Sequence, residues 1–264
     1  MSHPATERND GDILLEARGL HVSYGATIAL DNASVTLRRG RITGLVGMNG
    51  SGKSTLFKTL MGLIEPQPTP AARTPERGQV RFPAHAPVGK ARNFCAYVPQ
   101  SEAVDWNFPL TVAEVVGQGR RGCPHRGPGW WRRGHSSADR RAIAAALRRT
   151  GLQDLAGRQI GQLSGGQRKR AFVARGLVQD ADILLLDEPF AGVDAASEIA
   201  IAGVLRELAD SGVAILVSIH DLHTIDRLVD EVLLLNRRSI AQGPVERVLT
   251  HDNLRAAFGK GIAR

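Results

Sequence analysis

Apolar and polar positions along the chain fall into two alternating kinds of run. Residues 13–22 interleave apolar and polar side chains and predict a strand. A short apolar strand over 40–46 runs directly into Gly47-Met48-Asn49-Gly50-Ser51-Gly52-Lys53-Ser54, and 53–61 then reads as a helix. Residues 65–78 hold four prolines and no apolar periodicity, which predicts a loop and a local insertion rather than a domain boundary. Further on, 93–98 is a strand candidate, 111–118 and 136–150 are helical, and the glycine- and proline-rich 122–134 connects them, so the middle of the chain reads as a helical insert. From Gly165 the pattern gives a helix, a buried strand over 182–187, a helix over 195–211, a strand over 214–218 and a strand pair around 231–242. Strands alternating with helices predict an α/β fold on a mainly parallel sheet with both faces covered.

The candidate chemistry sits where these elements meet. The spacing G-x-x-x-x-G-K-[ST], between a strand and a helix, describes a loop whose backbone N–H groups wrap phosphates, with Lys53 reaching the β/γ oxygens and Ser54 the Mg²⁺. Leu163-Ser164-Gly165-Gly166-Gln167 is a Ser-Gly-Gly turn opening a helix, and free N–H groups at a helix N-terminus form a second anion grip. The run Ile183-Leu184-Leu185-Leu186 ends in Asp187-Glu188, which delivers two carboxylates to the C-terminal edge of the sheet, where ligands sit in such folds. Asp187 is expected to hold Mg²⁺ and Glu188 to orient or deprotonate the water attacking a γ-phosphate. His220 follows the apolar run 215–219 and is expected at the same edge, in contact with that phosphate. Many ATPases and GTPases share the phosphate-loop spacing; with the second anion grip in the same chain, the cofactors expected are ATP and Mg²⁺.

Length and composition narrow the setting. The chain has 264 residues, 42% of them hydrophobic, enough for a substantial core in one large domain or two closely packed ones. Residues 1–12 are polar and expected to be a flexible terminus with no signal-type apolar segment, and no run approaches the length of a membrane-spanning helix. Both features predict a chain that stays in the cytoplasm. Cys95 and Cys123, its two cysteines, form no C-x-x-C pair and suggest neither a disulfide framework nor a zinc ribbon. The formal charge of +8 permits nucleic acid, anionic lipid or nucleotide partners. Its densest basic stretch, 120–149, lacks the aromatic stacking pattern of RNA-binding sheets and reads as a solvated or membrane-facing surface.

Taken in order, these motifs resemble the ATP-binding cassette (ABC) ATPases, over nearly the whole chain from 13 to 259. The resemblance implies a P-loop (RecA-like) core, an N-terminal antiparallel β subdomain and a helical insert carrying the signature motif. It divides the chain into a core of 13–100 and 179–259, a helical subdomain of about 101–178 and a short tail, 260–264. It further implies that Tyr24 stacks on adenine, that Gln100 of Tyr97-Val98-Pro99-Gln100 is the Q-loop glutamine acting in catalysis and on Mg²⁺, and that Asp194 is the D-loop aspartate. Gly47, Asn49, Gly50, Ser51, Gly52 and Thr55 join Lys53 and Ser54 as nucleotide contacts. Ser164, Gly165, Gly166 and Gln167 are the signature, which in this family grips ATP on a partner subunit's loop. A second ATPase subunit, most simply another copy of this chain, follows as a partner.

The segment Asp105-Trp106-Asn107-Phe108-Pro109, the sequence Phe190-Ala-Gly-Val-Asp194, the Gly-Arg-Arg-Gly stretch at 119–122 and Trp130-Trp131-Arg132-Arg133 are similar to the ATPase subunits of manganese and zinc importers. That branch implies integral membrane permease subunits, an extracytoplasmic metal-binding protein and a place on the cytoplasmic face of the cell membrane, with manganese as cargo first and zinc second. Trp106, Phe108 and Trp131 either form the apolar docking groove for the permease or simply pack the helical insert. The sequence departs from the family pattern at Met48, Lys169 and Ile219, none of which removes a catalytic group. His3, His85, His125 and His223 form no convincing metal-ligand spacing, so the resemblance leaves choice of cargo to the other components. Two alternatives stand beside this reading: a soluble ABC ATPase acting on nucleic acid or the ribosome, and an importer of another cargo such as an iron chelate. One cassette with no added coiled coil or zinc module speaks against the first, and no nucleic-acid partner is expected.

Overall fold

The computed structural model describes residues 13–68, 77–83, 94–100, 109–122, 136–220, 225 and 227–259. The expectations for 1–12 and 260–264, for most of the proline-rich loop, for the 122–134 connection, and for Trp106, Phe108, Trp130, Trp131, Arg132, Arg133 and His223 lie outside those residues.

Two sheets organise the described chain. Strands β1 (Ile13–Tyr24), β2 (Thr27–Arg38) and β4 (Gln79–Arg81) form an antiparallel sheet in the order β2-β1-β4. Strands β3 (Ile42–Val46), β5 (Cys95–Val98), β6 (Ile183–Leu186), β7 (Ala214–Ser218), β8 (Glu231–Asn236) and β9 (Arg238–Pro244) form the second, in the order β5-β6-β7-β3-β8-β9. Its first five strands are parallel and β9 turns back antiparallel. Every residue of β3, β6 and β7 is buried, the signature of a parallel strand covered on both faces. Strand β2 has no counterpart among the elements expected from the sequence. The polar run Asp31-Asn32-Ala33-Ser34 looks like a turn, but Asn32 takes φ 58°, a left-handed conformation that asparagine tolerates, and the strand continues through an irregular register.

Side chains splice the two sheets together. Ser239 and Gln242 on β9 bond to the backbone of Ser34 and Thr36 on β2, each contacting both the N–H and the carbonyl oxygen of its partner, at 2.5–3.0 Å. A serine and a glutamine thus imitate the ladder that a further strand would supply.

The helices are α1 (Lys53–Leu60), α2 (Val112–Gly117), α3 (Ser137–Arg149), α4 (Gly165–Leu177), α5 (Ala195–Asp210), α6 (Val245–Val248) and α7 (His251–Phe258). Thr111, Ser136 and Ser164 each cap their helix in a reciprocal box with the acidic or amide side chain three residues on. Helix α2 stops one residue short of the predicted 111–118 and tightens into a 3₁₀ turn over Gln118–Gly122. Gly119 there lies so close to α4 that a Cβ would fall 2.2 Å from the Arg175 carbonyl oxygen. Three apolar clusters result. One fills the space between the sheets around α1, one lies between the large sheet and α4, α5 and α7, and one joins α2, α3 and α4 through residues such as Val116, Leu147 and Ala171. No described helix is long and apolar enough to cross a membrane.

Candidate active site

Strand register builds the site. Val98, Leu186 and Val217 are neighbours across β5, β6 and β7, and Leu45 of β3 lies beside Ser218. The residues that follow these strands therefore emerge together: Gln100 after β5, Asp187 and Glu188 after β6, His220 after β7, and the glycine-rich loop 47–52 after β3. Gln100, Glu188 and His220, with Asn49, Gly50 and Gly52 of the loop and Lys53, Ser54 and Thr55 beyond it, line a cleft of about 720 Å³; Gly47 and Asp187 are not part of that lining. Thr27, Ile28 and Ala29 wall one side of it, and Arg237 on the β8–β9 turn lines it as well.

The loop owes its shape to glycine at two points. Gly52 has φ 98°, and a Cβ there would fall 2.4 Å from the Ala29 carbonyl oxygen. At Gly47 a Cβ would lie 2.3 Å from the Leu235 carbonyl oxygen. The loop is thus clasped between the β2 backbone and the end of β8, and the Arg237 N–H donates to the Ser51 carbonyl at 2.8 Å. Ser51 turns its side chain into the interior, 3% exposed, and does not line the cleft. Lys53, first residue of α1 and 6% exposed, folds back to donate to the carbonyl oxygens of Gly47 at 2.8 Å and Met48 at 3.1 Å. Burial lowers the pKa of its ammonium group, and the charges of Glu188 and Asp187 oppose that shift.

The two carboxylates have separate environments. Asp187 is 4% exposed and accepts from Ser54 Oγ at 2.8 Å, from Ser218 Oγ at 3.0 Å and from the Tyr97 hydroxyl at 3.5 Å. The Tyr97 phenol pKa is driven upward, first by burial and then by the Asp187 charge. Glu188 faces the cleft: its Oε2 accepts from Gln100 Nε2 at 2.8 Å and its Oε1 lies 2.5 Å from His220 Nε2. Glutamine, glutamate and histidine, far apart in the chain, thus form one hydrogen-bonded row.

Other expected site residues lie elsewhere. Tyr24, at the end of β1, is 53% exposed beside the hairpin that walls the cleft, yet is not part of its lining. Ser164, Gly165, Gly166 and Gln167 at the start of α4, and Asp194 capping α5, also lie off the lining. They meet one another instead, since a Cβ on Gly166 would fall 2.4 Å from Ser197 Oγ and 2.8 Å from Asp194 Oδ2. Sequence reasoning missed Ser218, Arg237 and the 27–29 wall. Ser218 was detectable only through register, as the residue beside Asp187 on the neighbouring strand; Arg237 and the wall carried no motif. Lys169, in sequence only a departure from the family pattern, donates from Nζ to the Glu188 carbonyl at 3.0 Å. Among the described residues, no three His, Cys, Asp or Glu side chains group to hold a metal ion.

Comparison with known proteins sets this geometry in context. Residues 30–191 match the family described as ABC transporter. The chain is 46% identical to the manganese transport system ATP-binding protein MntA of Synechocystis, over 91% of its length and 88% of that protein's. It is 43% identical to YfeB of Yersinia pestis, named for chelated iron transport, covering 100% of this chain and 83% of that one. It is also 43% identical to the zinc transport system ATP-binding protein TroB of Treponema pallidum, over 92% and 86% of the two chains. Among solved structures, an ATP-binding subunit of an ABC transporter superposes with a TM-score of 0.73 at 25% identity, covering 93% of this chain and 95% of that one.

Proposed function

Because the chain belongs to the ABC transporter family as an ATP-binding ATPase subunit, we propose that it hydrolyses MgATP to drive import of a divalent metal ion, manganese first and zinc second. The observation that carries the cargo is the 46% identity, over most of both chains, to a protein named for manganese transport. A relative named for zinc transport supports that ion as the second cargo, and the equally similar one named for chelated iron, also at 43% identity, keeps iron as a further outcome of the test.

In this reading ATP lies in the cleft with its phosphates on the N–H groups of the loop 47–52 and the first turn of α1, including Ser54 and Thr55. Lys53 exchanges the carbonyl oxygens of Gly47 and Met48 for the β/γ oxygens of ATP. Tyr24 on the adjoining hairpin covers adenine. Ser54, Asp187 and Gln100 offer hydroxyl, carboxylate and amide oxygens, the hard donors Mg²⁺ takes, and the 2.8 Å contact of Ser54 Oγ with Asp187 supports a shared site. When bound, the ion neutralises charge on the transferred phosphoryl oxygens. Glu188 releases Gln100 and His220 as the γ-phosphate enters; its carboxylate then orients the attacking water and takes its proton, and His220 holds the γ-phosphate.

The position of Ser164, Gly165, Gly166, Gln167 and Asp194 away from this chain's own cleft supports their use in a second subunit's ATP site, in a head-to-tail homodimer. Residues 13–259 act as one cassette with 101–178 as its helical part, peripheral to the cytoplasmic face of the membrane. Permease subunits and an external metal-binding protein complete the transporter, and selection of the ion belongs to them.

The test is elemental analysis of cells lacking this protein, grown metal-poor and complemented with wild type or Glu188→Gln. Manganese restored by wild type alone is expected; zinc or iron in its place reassigns the cargo, and no change in any metal overturns metal import. In purified protein Glu188→Gln should lower turnover by about 10²-fold or more while leaving ATP-bound dimers visible in light scattering. Lys53→Ala should instead weaken ATP binding itself, read by equilibrium titration.

A further inference from the structure

Glu188 stands at φ 51°, in the left-handed region that residues with a Cβ seldom occupy. Two side chains from other elements hold it there, one on each side of the residue. Its N–H donates to Ser218 Oγ at 2.6 Å, and its carbonyl oxygen accepts from Lys169 Nζ at 3.0 Å. Ser218 is 1% exposed at the end of β7, and its hydroxyl donates onward to Asp187 Oδ1 at 3.0 Å. The Ser218 oxygen thus ties the backbone of one carboxylate residue to the side chain of the other. Lys169 comes from a different direction, the second turn of α4, the helix that Ser164 caps.

We propose that Ser218 and Lys169 are positioning residues that clamp Glu188 in its left-handed conformation, and that Lys169 makes this clamp depend on where helix α4 lies. Rotating φ of Glu188 into the ordinary negative range would swing its Cα–Cβ bond and carry the carboxylate away from Gln100 and His220. A misplacement of even 1 Å at a reacting group is costly in rate. The Ser218 bond is anchored in the core and short. The Lys169 bond is a charge-assisted contact made at the end of a flexible stem, so it forms only while the start of α4 stays near the end of β6. The helix that opens with Ser164-Gly165-Gly166-Gln167 therefore has a direct line to the backbone of Glu188, and any shift of α4 when that opening engages a ligand reaches the carboxylate through one lysine.

This inference rests on Glu188 being the group that works on the attacking water, and the experiment separates the two claims. Steady-state ATP hydrolysis and equilibrium ATP binding are measured for the purified chain as wild type, Lys169→Met, Lys169→Arg, Ser218→Ala and Glu188→Gln. Lys169→Met keeps the apolar stem and removes the donor; it should lower kcat roughly tenfold while KM and ATP affinity stay within about twofold. Lys169→Arg, which restores a cationic donor, should recover most of that loss, and Ser218→Ala should resemble Lys169→Met. Should Ser218→Ala fail to fold, the two lysine variants decide alone. Wild-type kcat in Lys169→Met, or equal losses in the Met and Arg variants, overturns the clamp while an inactive Glu188→Gln leaves the base assignment standing. Normal turnover in Glu188→Gln overturns both.

Discussion

Gly50 and Gly52 both have positive φ and both lie in the glycine-rich loop, yet their surroundings differ. Nothing lies within 4 Å of where a Gly50 Cβ would be, whereas a Gly52 Cβ would sit 2.4 Å from the Ala29 carbonyl oxygen and 2.9 Å from Leu30 Cδ2. Gly50→Ala should cost only the left-handed preference, about 1–2 kcal/mol of stability. Gly52→Ala adds a backbone collision that no rotamer change relieves, so it should destabilise the fold well beyond Gly50→Ala and reduce ATP affinity. Urea denaturation and nucleotide titration of the two variants check this; equal effects would mean that conformation alone, and not the clasp against β2, shapes the loop.

At the scale of elements, the start of α4 rests on the start of α5. Gly165 has ordinary contacts, with the nearest atom to its would-be Cβ at 3.8 Å, while Gly166 has Ser197 Oγ at 2.4 Å. Since alanine suits helices better than glycine, Gly165→Ala should be neutral or stabilising and Gly166→Ala destabilising, as read by thermal unfolding. The contact atoms at Gly166 belong to the cap of α5, where the Asp194 carboxylate accepts from the Ser197 N–H at 2.9 Å and from Ser197 Oγ at 3.0 Å. These bonds hold the Asp194 carboxyl pKa below its ordinary value, the backbone bond first and the hydroxyl second. A depressed carboxylate pKa contributes stability that is present above the unfolded value and lost as pH falls through the folded one. The gap in Tm between wild type and Asp194→Ala should therefore hold steady near neutral pH and shrink in acid, below the ordinary carboxylate range. A gap that does not change with pH would show that the charge on the cap contributes nothing.

For the molecule as a whole, α1 links the cleft to the core. Its first residue, Lys53, faces the cleft, and Phe57 one turn later is fully buried between the sheets, 5.9 Å from the Tyr97 ring on β5. Phe57→Ala should cost about 3–5 kcal/mol in global stability, measured by urea denaturation. It should also weaken ATP binding, because the loop and β5 lose their common support. A stability loss with unchanged affinity would mean that the loop holds its shape without α1 being packed.

Features with local causes can be read along the chain. The glycine spacing, the apolar runs of β3, β6 and β7, and the Ser-Gly-Gly helix start made the α/β core, the glycine-rich turn into α1 and the acidic strand end legible, since each is a short pattern with one backbone solution. Strand β2 escaped because Asn32 breaks its pattern, and Ser218, Arg237 and the 27–29 wall escaped because nothing near them in the chain marks them. Folding in three dimensions settles which strand ends lie side by side, that Gln100, Glu188 and His220 form one bonded row, that Lys169 reaches the Glu188 backbone, and that Ser164–Gln167 stand away from the chain's own cleft. Register is the cause: parallel strands distant in sequence bring their C-terminal ends together through crossovers, and a pattern read along the chain carries no information about which residues those crossovers make neighbours.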